Sequence, residues 1–327
     1  RLEDHVQVSK AEVLARHAWD DTGHLDLFAD PEASAAAVGA FAGPEAARGY
    51  RAFAAEATRI FGVLEEPFLH GDKASTPLPM MWRMGLWKLP EMLAMRPFDG
   101  MWKALGEHFA DPRLQQLFGR YATYCGSSPF AAPATLMLIA HLEARGVWVI
   151  EGGIHALAKA LAGLAEAQGA QVRTGAAVAE VLTGSGRVSG VRLASGEVIA
   201  ADIVICNADP AALATGRFGA EAAGAVPAMP RGARSLSALV WYAHTVTTGF
   251  PLSHHNVFFS RDYPREFRDI AAGNPPAEPT VYVCAIDRGA HHGAPAPQGR
   301  ERLQIIVNAP ADGDVHTYTP EERERCT

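Results

Sequence analysis

Residues 146–209 constrain the fold more than the rest of the chain. They read GVWVIEGGIHALAKALAGLAEAQGAQVRTGAAVAEVLTGSGRVSGVRLASGEVIAADIVICNAD. The pair Gly152-Gly153 precedes Ile154, Leu157, Ala158, Leu161, Leu164 and Ala165, which keep the spacing of one helix face. Strands are expected over 171–173 and 177–182. The glycines of 184–190 lie between two strands and open no helix, so GSGRVSG is read as a hairpin turn, not a phosphate loop. Ser195-Gly196-Glu197 is a second turn. Residues 203–206, Ile-Val-Ile-Cys, form an unbroken apolar run of the kind buried in a parallel sheet. Asn207-Ala208-Asp209 follows at its carboxyl end, where open α/β sheets bind ligands. The fold class expected is therefore α/β.

The flanks differ from this block. Residues 17–28 read as two short strands joined by a turn at Asp21-Thr22-Gly23. Helices are expected from Asp30-Pro31 and from Pro44, the second with Tyr50, Phe53, Ala54, Ala57, Ile60, Phe61 and Leu64 on one face. A Met/Trp-rich segment runs from Met80 to Trp102 and is broken by Pro90 and Pro97. Asp111-Pro112 starts a helix with Leu114, Leu117, Phe118 and Tyr121 inward, and another is expected over 133–144. Strands over 236–242, 257–259, 280–286 and 303–308 read as an antiparallel sheet. The expected division is strands over 1–30, a helical region over 31–144, an α/β nucleotide-domain half over 145–215 and an antiparallel-sheet domain over 216–327.

Composition removes several function classes. A net charge of −7, with no Lys/Arg run, argues against a nucleic-acid surface. The four cysteines are far apart and form no CxxC, so reduced thiols in a cytoplasmic protein are expected, with no disulfide framework. No apolar run reaches the roughly 18 residues of a spanning helix. Adjacent residues on a strand point to opposite faces, so the pairs His254-His255 and His291-His292 are read as solvated loop histidines, and no metal ligand is assigned. The first residue is Arg1, and Thr319-Pro320-Glu321-Glu322 announces a helix close to the last residue. A segment of a longer protein is expected.

The ordered pattern G-V-W-x-x-x-G-G-x-x-x-L-x-x-x-L, G-A-x-V, V-x-x-V-x-L-x-x-G-E and I-x-A-D-x-V-I-x-N-A-D resembles the phytoene desaturase family of carotenoid biosynthesis. Further matching stretches are Arg48-Gly49-Tyr50-Arg51-Ala52-Phe53, Ser128-Pro129-Phe130-Ala131-Ala132-Pro133, and Ala296-Pro297-Gln298-Gly299 with Ile306-Val307-Asn308-Ala309-Pro310. Arg16-His17-Ala18-Trp19 through Leu25-Asp26-Leu27-Phe28-Ala29-Asp30 is most similar to the hydroxyneurosporene and methoxyneurosporene desaturases of purple phototrophic bacteria.

The resemblance implies an amine-oxidase-like flavoprotein fold: a partial Rossmann-type FAD domain, an antiparallel-sheet substrate domain and a helical region facing substrate and membrane. It implies FAD, with Gly152, Gly153, Val178, Asn207 and Ala208 beside the dinucleotide. It implies an acyclic carotenoid substrate held by Trp82, Met84, Phe130 and Trp148, at the cytoplasmic face of the inner or photosynthetic membrane. The expected reaction is 3,4-desaturation of a 1-hydroxyneurosporene-type carotenoid, with hydride passing to the flavin and a proton leaving the neighbouring carbon. Asp111 is the acidic candidate for proton transfer; its plainer reading is a helix N-cap. Another carotenoid desaturase, an isomerase, an amine oxidase and a non-catalytic carotenoid carrier are the alternatives. The family's N-terminal GxGxxG segment has no counterpart in these 327 residues.

Overall fold

The computed structural model describes residues 4–20, 23–66 and 95–326. Two compact units divide the chain. One takes Val6–Gly153 with Ser235–Thr327; the other takes Ile154–Arg234 with the first five residues.

The larger unit opens with β1 (Val8–Lys10), β2 (Val13–Ala18) and β3 (His24–Phe28). Asp30 then caps α1 (Pro31–Ala42) by accepting from the Glu32 amide, with proline at the first helical position. Helix α2 (Pro44–Leu64) turns Tyr50, Phe53, Ala57, Ile60, Phe61 and Leu64 inward, as its apolar spacing requires. Gly49 allows close passage over α3 (Met101–His108), since a Cβ there would collide with the His108 carbonyl. After α4 (Pro112–Gly119), a 3-10 turn over Ala134–Met137 leads into α5 (Leu138–Arg145) and β4 (Trp148–Ile150), which pairs antiparallel with β1. The helices share one apolar core. Within it, Phe53, Phe109 and Phe118 pack with ring centroids 4.6–5.5 Å apart.

The smaller unit begins with α6 (Ile154–Ala167) and a three-stranded antiparallel sheet of β5 (Val178–Gly184), β6 (Arg187–Leu193) and β7 (Val198–Ala200). Ser185 (φ 54°) and Gly186 (φ 75°) are both left-handed, the geometry of a two-residue type I′ hairpin. The glycine-rich stretch is thus a turn, as its position between strands requires.

Two strand expectations fail in this unit. Residues 171–173 form no strand; they are exposed, and Arg173 instead grips Glu197 in a two-pronged surface pair at 2.8–2.9 Å. Residues 203–206 also form no strand, and Ile203 and Ile205 are 80% and 89% exposed. A parallel strand needs bonded neighbours and cover on both faces. Among the described residues none pairs with this run. Helix α6 likewise has no buried residue, although its apolar face is regular.

The chain then completes the larger unit with β8 (Ser237–Thr245), β9 (His255–Phe258), α7 (Tyr263–Ala271), β10 (Val281–Ala285), β11 (Glu301–Ala309) and α8 (Pro320–Cys326). The six-stranded sheet runs β3-β2-β9-β10-β11-β8, antiparallel except for the β2–β9 pair. Glu266 of α7 is 1% exposed and accepts from the Ser260 hydroxyl and from the Thr280 hydroxyl and amide, tying the helix to the sheet. The expected capping box closes at α8: Thr319 and Glu322 exchange hydrogen bonds of 2.7 and 3.2 Å.

Candidate functional site

Residues Tyr121–Tyr124 form a single helical turn directly after α4. Their spacing sets Arg120 and Tyr124 side by side. Arg120 Nη1 donates to the Tyr124 hydroxyl at 3.1 Å, and its guanidinium lies 5.3 Å from the Tyr124 ring and 5.4 Å from the Tyr282 ring of β10. Tyr124 donates onward to Glu143 of α5 at 3.1 Å, and Tyr121 donates to the other carboxylate oxygen at 2.6 Å. Among the described residues, no carboxylate stands within ion-pairing distance of Arg120.

Arg120, Tyr124 and Tyr282 border a cleft of about 420 Å³, lined also by Thr280, Ile306 and Asn308. Burial pushes the Glu143 carboxyl and the Tyr121 phenol up, and the Tyr124 phenol up to about 12. The phenols therefore keep their protons at neutral pH. The cleft can donate hydrogen bonds to a neutral oxygen and can receive an extended apolar chain along its aromatic and aliphatic walls. The sequence reading missed Arg120, Tyr124, Glu143 and Tyr282. The signal within reach was the R-Y-x-x-Y run, in which only Tyr121 was weighed, as an apolar residue.

Of the residues expected to hold substrate, Phe130 joins a ring cluster with Trp102 (4.6 Å), Phe267 (5.9 Å) and Tyr263 (6.1 Å). Trp148 is 53% exposed on β4, with the Lys10 ammonium 5.8 Å from its ring. Trp82 and Met84 lie outside the described residues, as do Met80, Met81, Trp87 and Met92. Met95 and Met101, the described methionines of that segment, are buried in the helical core and so offer nothing to lipid or substrate. Among the described residues no helix is long and apolar enough to cross a membrane.

Asp111 is the N-cap of α4. It accepts from the Arg113 amide at 2.9 Å and pairs with the Arg113 guanidinium at 2.7 Å. The Arg113 hydrogen bonds hold its pKa below the usual carboxylate range. Gln115 donates to the Phe109 carbonyl at 2.7 Å.

The expected cofactor residues are exposed backbone-rich positions. Gly152 and Gly153 have φ of 77° and 82°, conformations that glycine adopts without strain. Gly153 carries no side chain that could cap a helix. Val178 opens β5, and Asn207 and Ala208 lie in the extended segment before Asp209, which caps the short helix at Pro210–Ala214.

The histidine pairs divide. His291 and His292 are exposed, as expected. His254 and His255 are not solvated: His254 is 8% exposed and His255 is half-buried. Strand alternation does not separate them, because β9 begins at His255 and leaves His254 outside the pleat.

Comparison with known proteins bears on the family. The model of the flavin containing amine oxidoreductases matches residues 94–252. The hydroxyneurosporene desaturase of Rubrivivax gelatinosus is 46% identical over 330 aligned positions, 99% of this chain and 62% of that protein. Over residues 94–252 the chain is thus similar to the flavin containing amine oxidoreductases. The hydroxyneurosporene desaturase of Cereibacter sphaeroides is 45% identical, covering 100% of this chain and 64% of its own length. An all-trans-zeta-carotene desaturase of Myxococcus xanthus is 30% identical over 96% of this chain and 59% of its own. The chain thus spans a little over three fifths of the first two relatives' length. A solved oxidoreductase of Methanosarcina mazei shares the fold, with a TM-score of 0.50 at 15% identity over 98% of this chain and 63% of that one. The resemblance read from the motif order and the amine-oxidase-like fold class are both upheld, and the match to a flavin containing family implies a flavin.

Proposed function

We propose that the protein carrying this chain is an FAD-dependent desaturase of acyclic carotenoids that forms the 3,4 double bond of 1-hydroxyneurosporene-type substrates. One observation carries the reading: 46% and 45% identity to hydroxyneurosporene desaturases across essentially all 327 residues. Gly152, Gly153, Val178, Asn207 and Ala208 would hold the dinucleotide, the glycines at the start of α6 and the others through exposed backbone. The flavin, when bound, supplies the two-electron acceptor. The chain's residues then position the polyene and exclude water. Phe130 and Trp102 offer ring faces to the conjugated chain, Trp148 offers a further one, and the cleft under Tyr124 and Tyr282 takes one end of it. Arg120 donates to the oxygen of a terminal hydroxyl. Asp111, fixed as a helix cap, holds the start of α4 in place.

Association of the protein with a membrane surface follows from the same reading, because a carotenoid must be drawn from lipid. The test expresses the complete reading frame in a host that accumulates 1-hydroxyneurosporene. A pigment absorbing at longer wavelength is expected. An unchanged pigment spectrum, with flavin bound to the protein, would sink the reaction and favour a carotenoid-binding role.

A further inference from the structure

His255 of β9 lies directly opposite Cys284 of β10 in the sheet register, so their side chains share one face. His254, one residue before the strand, brings its ring to 4.5 Å from that of His255, edge to face. Its Nε2 stands 3.8 Å from the Cys284 sulfur. One donor atom from each of the three residues falls within 4.8 Å of the other two, and no other such group of three occurs among the described residues. His254 and Cys284 are 8% and 9% exposed.

The hydrogen bond behind the His254 ring sets its tautomer. His254 Nδ1 is 2.6 Å from the Arg288 carbonyl, which can only accept, so Nδ1 carries the proton and the Nε2 lone pair faces the sulfur. His255 Nδ1 is 2.7 Å from the Tyr282 hydroxyl, an oxygen that fixes that ring in turn. An imidazole anchored at Nδ1 by an oxygen, with Nε2 presented inward, is how ligating histidines are oriented. Metal–nitrogen bonds of about 2.05 Å and a metal–sulfur bond of about 2.3 Å at a tetrahedral angle place N and S about 3.6 Å apart. The His254 Nε2 to Cys284 sulfur distance of 3.8 Å is close to that value, and the three donor atoms lie within 4.8 Å of one another.

We propose that His254, His255 and Cys284 bind a soft d¹⁰ cation, Cu⁺ or Zn²⁺. The donor set, two imidazoles and one thiolate with no carboxylate, selects against hard oxygen-seeking ions. Binding releases the thiol proton to solvent as the metal–sulfur bond forms. The thiolate cancels the single charge of Cu⁺ but leaves Zn²⁺ with one positive charge in a buried site whose Tyr282 ring also faces Arg120. Charge therefore ranks Cu⁺ first. This site is independent of the desaturase reading and departs from the expectation that no metal ligand is assigned.

The flavin-loaded full-length protein, stripped with a chelator under anaerobic reducing conditions, is offered Cu⁺ alone or Zn²⁺ alone, and metal retained after desalting is counted. One equivalent is expected, held at least about tenfold less tightly by Cys284→Ser and by His254→Gln. The exposed pair serves as control, and His291→Gln with His292→Gln should leave it unchanged. Competition between the two ions decides which is held. Because Cys284→Ser can fail to fold, Co²⁺ loading of the unmutated protein is measured as well, with a thiolate-to-cobalt charge-transfer band expected. Retention of no metal, absence of that band, or undiminished binding by a folded Cys284→Ser variant would overturn the proposal.

Discussion

Replacing Glu301 with glutamine should destabilise the larger unit by about 3 kcal/mol, the low end of what breaking a buried ion pair costs. Arg288 and Glu301 are 11% and 3% exposed and meet fork to fork, Nε to Oε2 at 2.8 Å and Nη2 to Oε1 at 2.7 Å. The guanidinium also donates to the Leu252 carbonyl at 2.8 Å and to the Thr247 hydroxyl at 2.9 Å, so the pair pins the 247–252 loop to the start of β11. Glutamine keeps the shape and one acceptor but leaves the cation buried without its counter-charge. With so little exposure, solvent screening discounts the pair only slightly. For a unit of this size, about 3 kcal/mol corresponds to a melting temperature lower by roughly 6–12 °C, readable by circular dichroism.

The pH dependence has a definite sign. Hydrogen bonds from Arg288 depress the Glu301 carboxyl, so its contribution is complete above the unfolded value of about 4.3 and is lost as pH falls through the folded one. The gap between the two proteins should therefore be constant from neutral pH down to about 5 and close below it. Replacing both partners, Arg288→Met with Glu301→Leu, should recover stability to within about 1 kcal/mol of the original. A Glu301→Gln protein melting within about 2 °C of the original, or a gap unchanged in acid, would refute the reasoning.

Three further outcomes are expected. Arg120→Met should raise KM for a hydroxylated carotenoid by about tenfold, one lost hydrogen bond to a charged donor, while leaving kcat and an unhydroxylated analogue nearly unaffected; equal losses on both substrates would remove Arg120 from hydroxyl recognition. Asp111→Asn should keep turnover within about threefold, since asparagine also caps helices; a loss of about a hundredfold or more would restore the carboxylate to proton transfer. Gly186→Ala should cost about 1 kcal/mol for its left-handed φ, with open space for the methyl, whereas Gly190→Ala should cost distinctly more because its Cβ would collide with the Ile199 carbonyl; hydrogen exchange of β5–β7 ranks the two, and equal protection would contradict the geometry.

Legibility in the sequence followed how local the determining interactions are. The caps at Asp30, Asp111 and Thr319, the inward face of α2 and the Ser185-Gly186 turn depend on neighbours within a few residues, and all stand where their spacing put them. Residues 203–206 and 171–173 needed partner strands to become strands, and composition alone could not supply them. The candidate cleft was hidden for a related reason. Arg120, Glu143 and Tyr282 belong to three different elements, and only the fold brings guanidinium, carboxyl and ring together. His254 was misplaced because the alternation rule was applied one residue beyond the strand that obeys it.

The central claim is flavin-coupled removal of two hydrogens from a carotenoid. Anaerobic mixing of the flavin-loaded full-length protein with 1-hydroxyneurosporene tests it most directly, with flavin and polyene absorbance followed together. Loss of the oxidised-flavin band in step with the rise of a longer-wavelength polyene, one flavin per double bond formed, is the predicted result. Oxidised flavin that persists beside bound and unchanged carotenoid would contradict it.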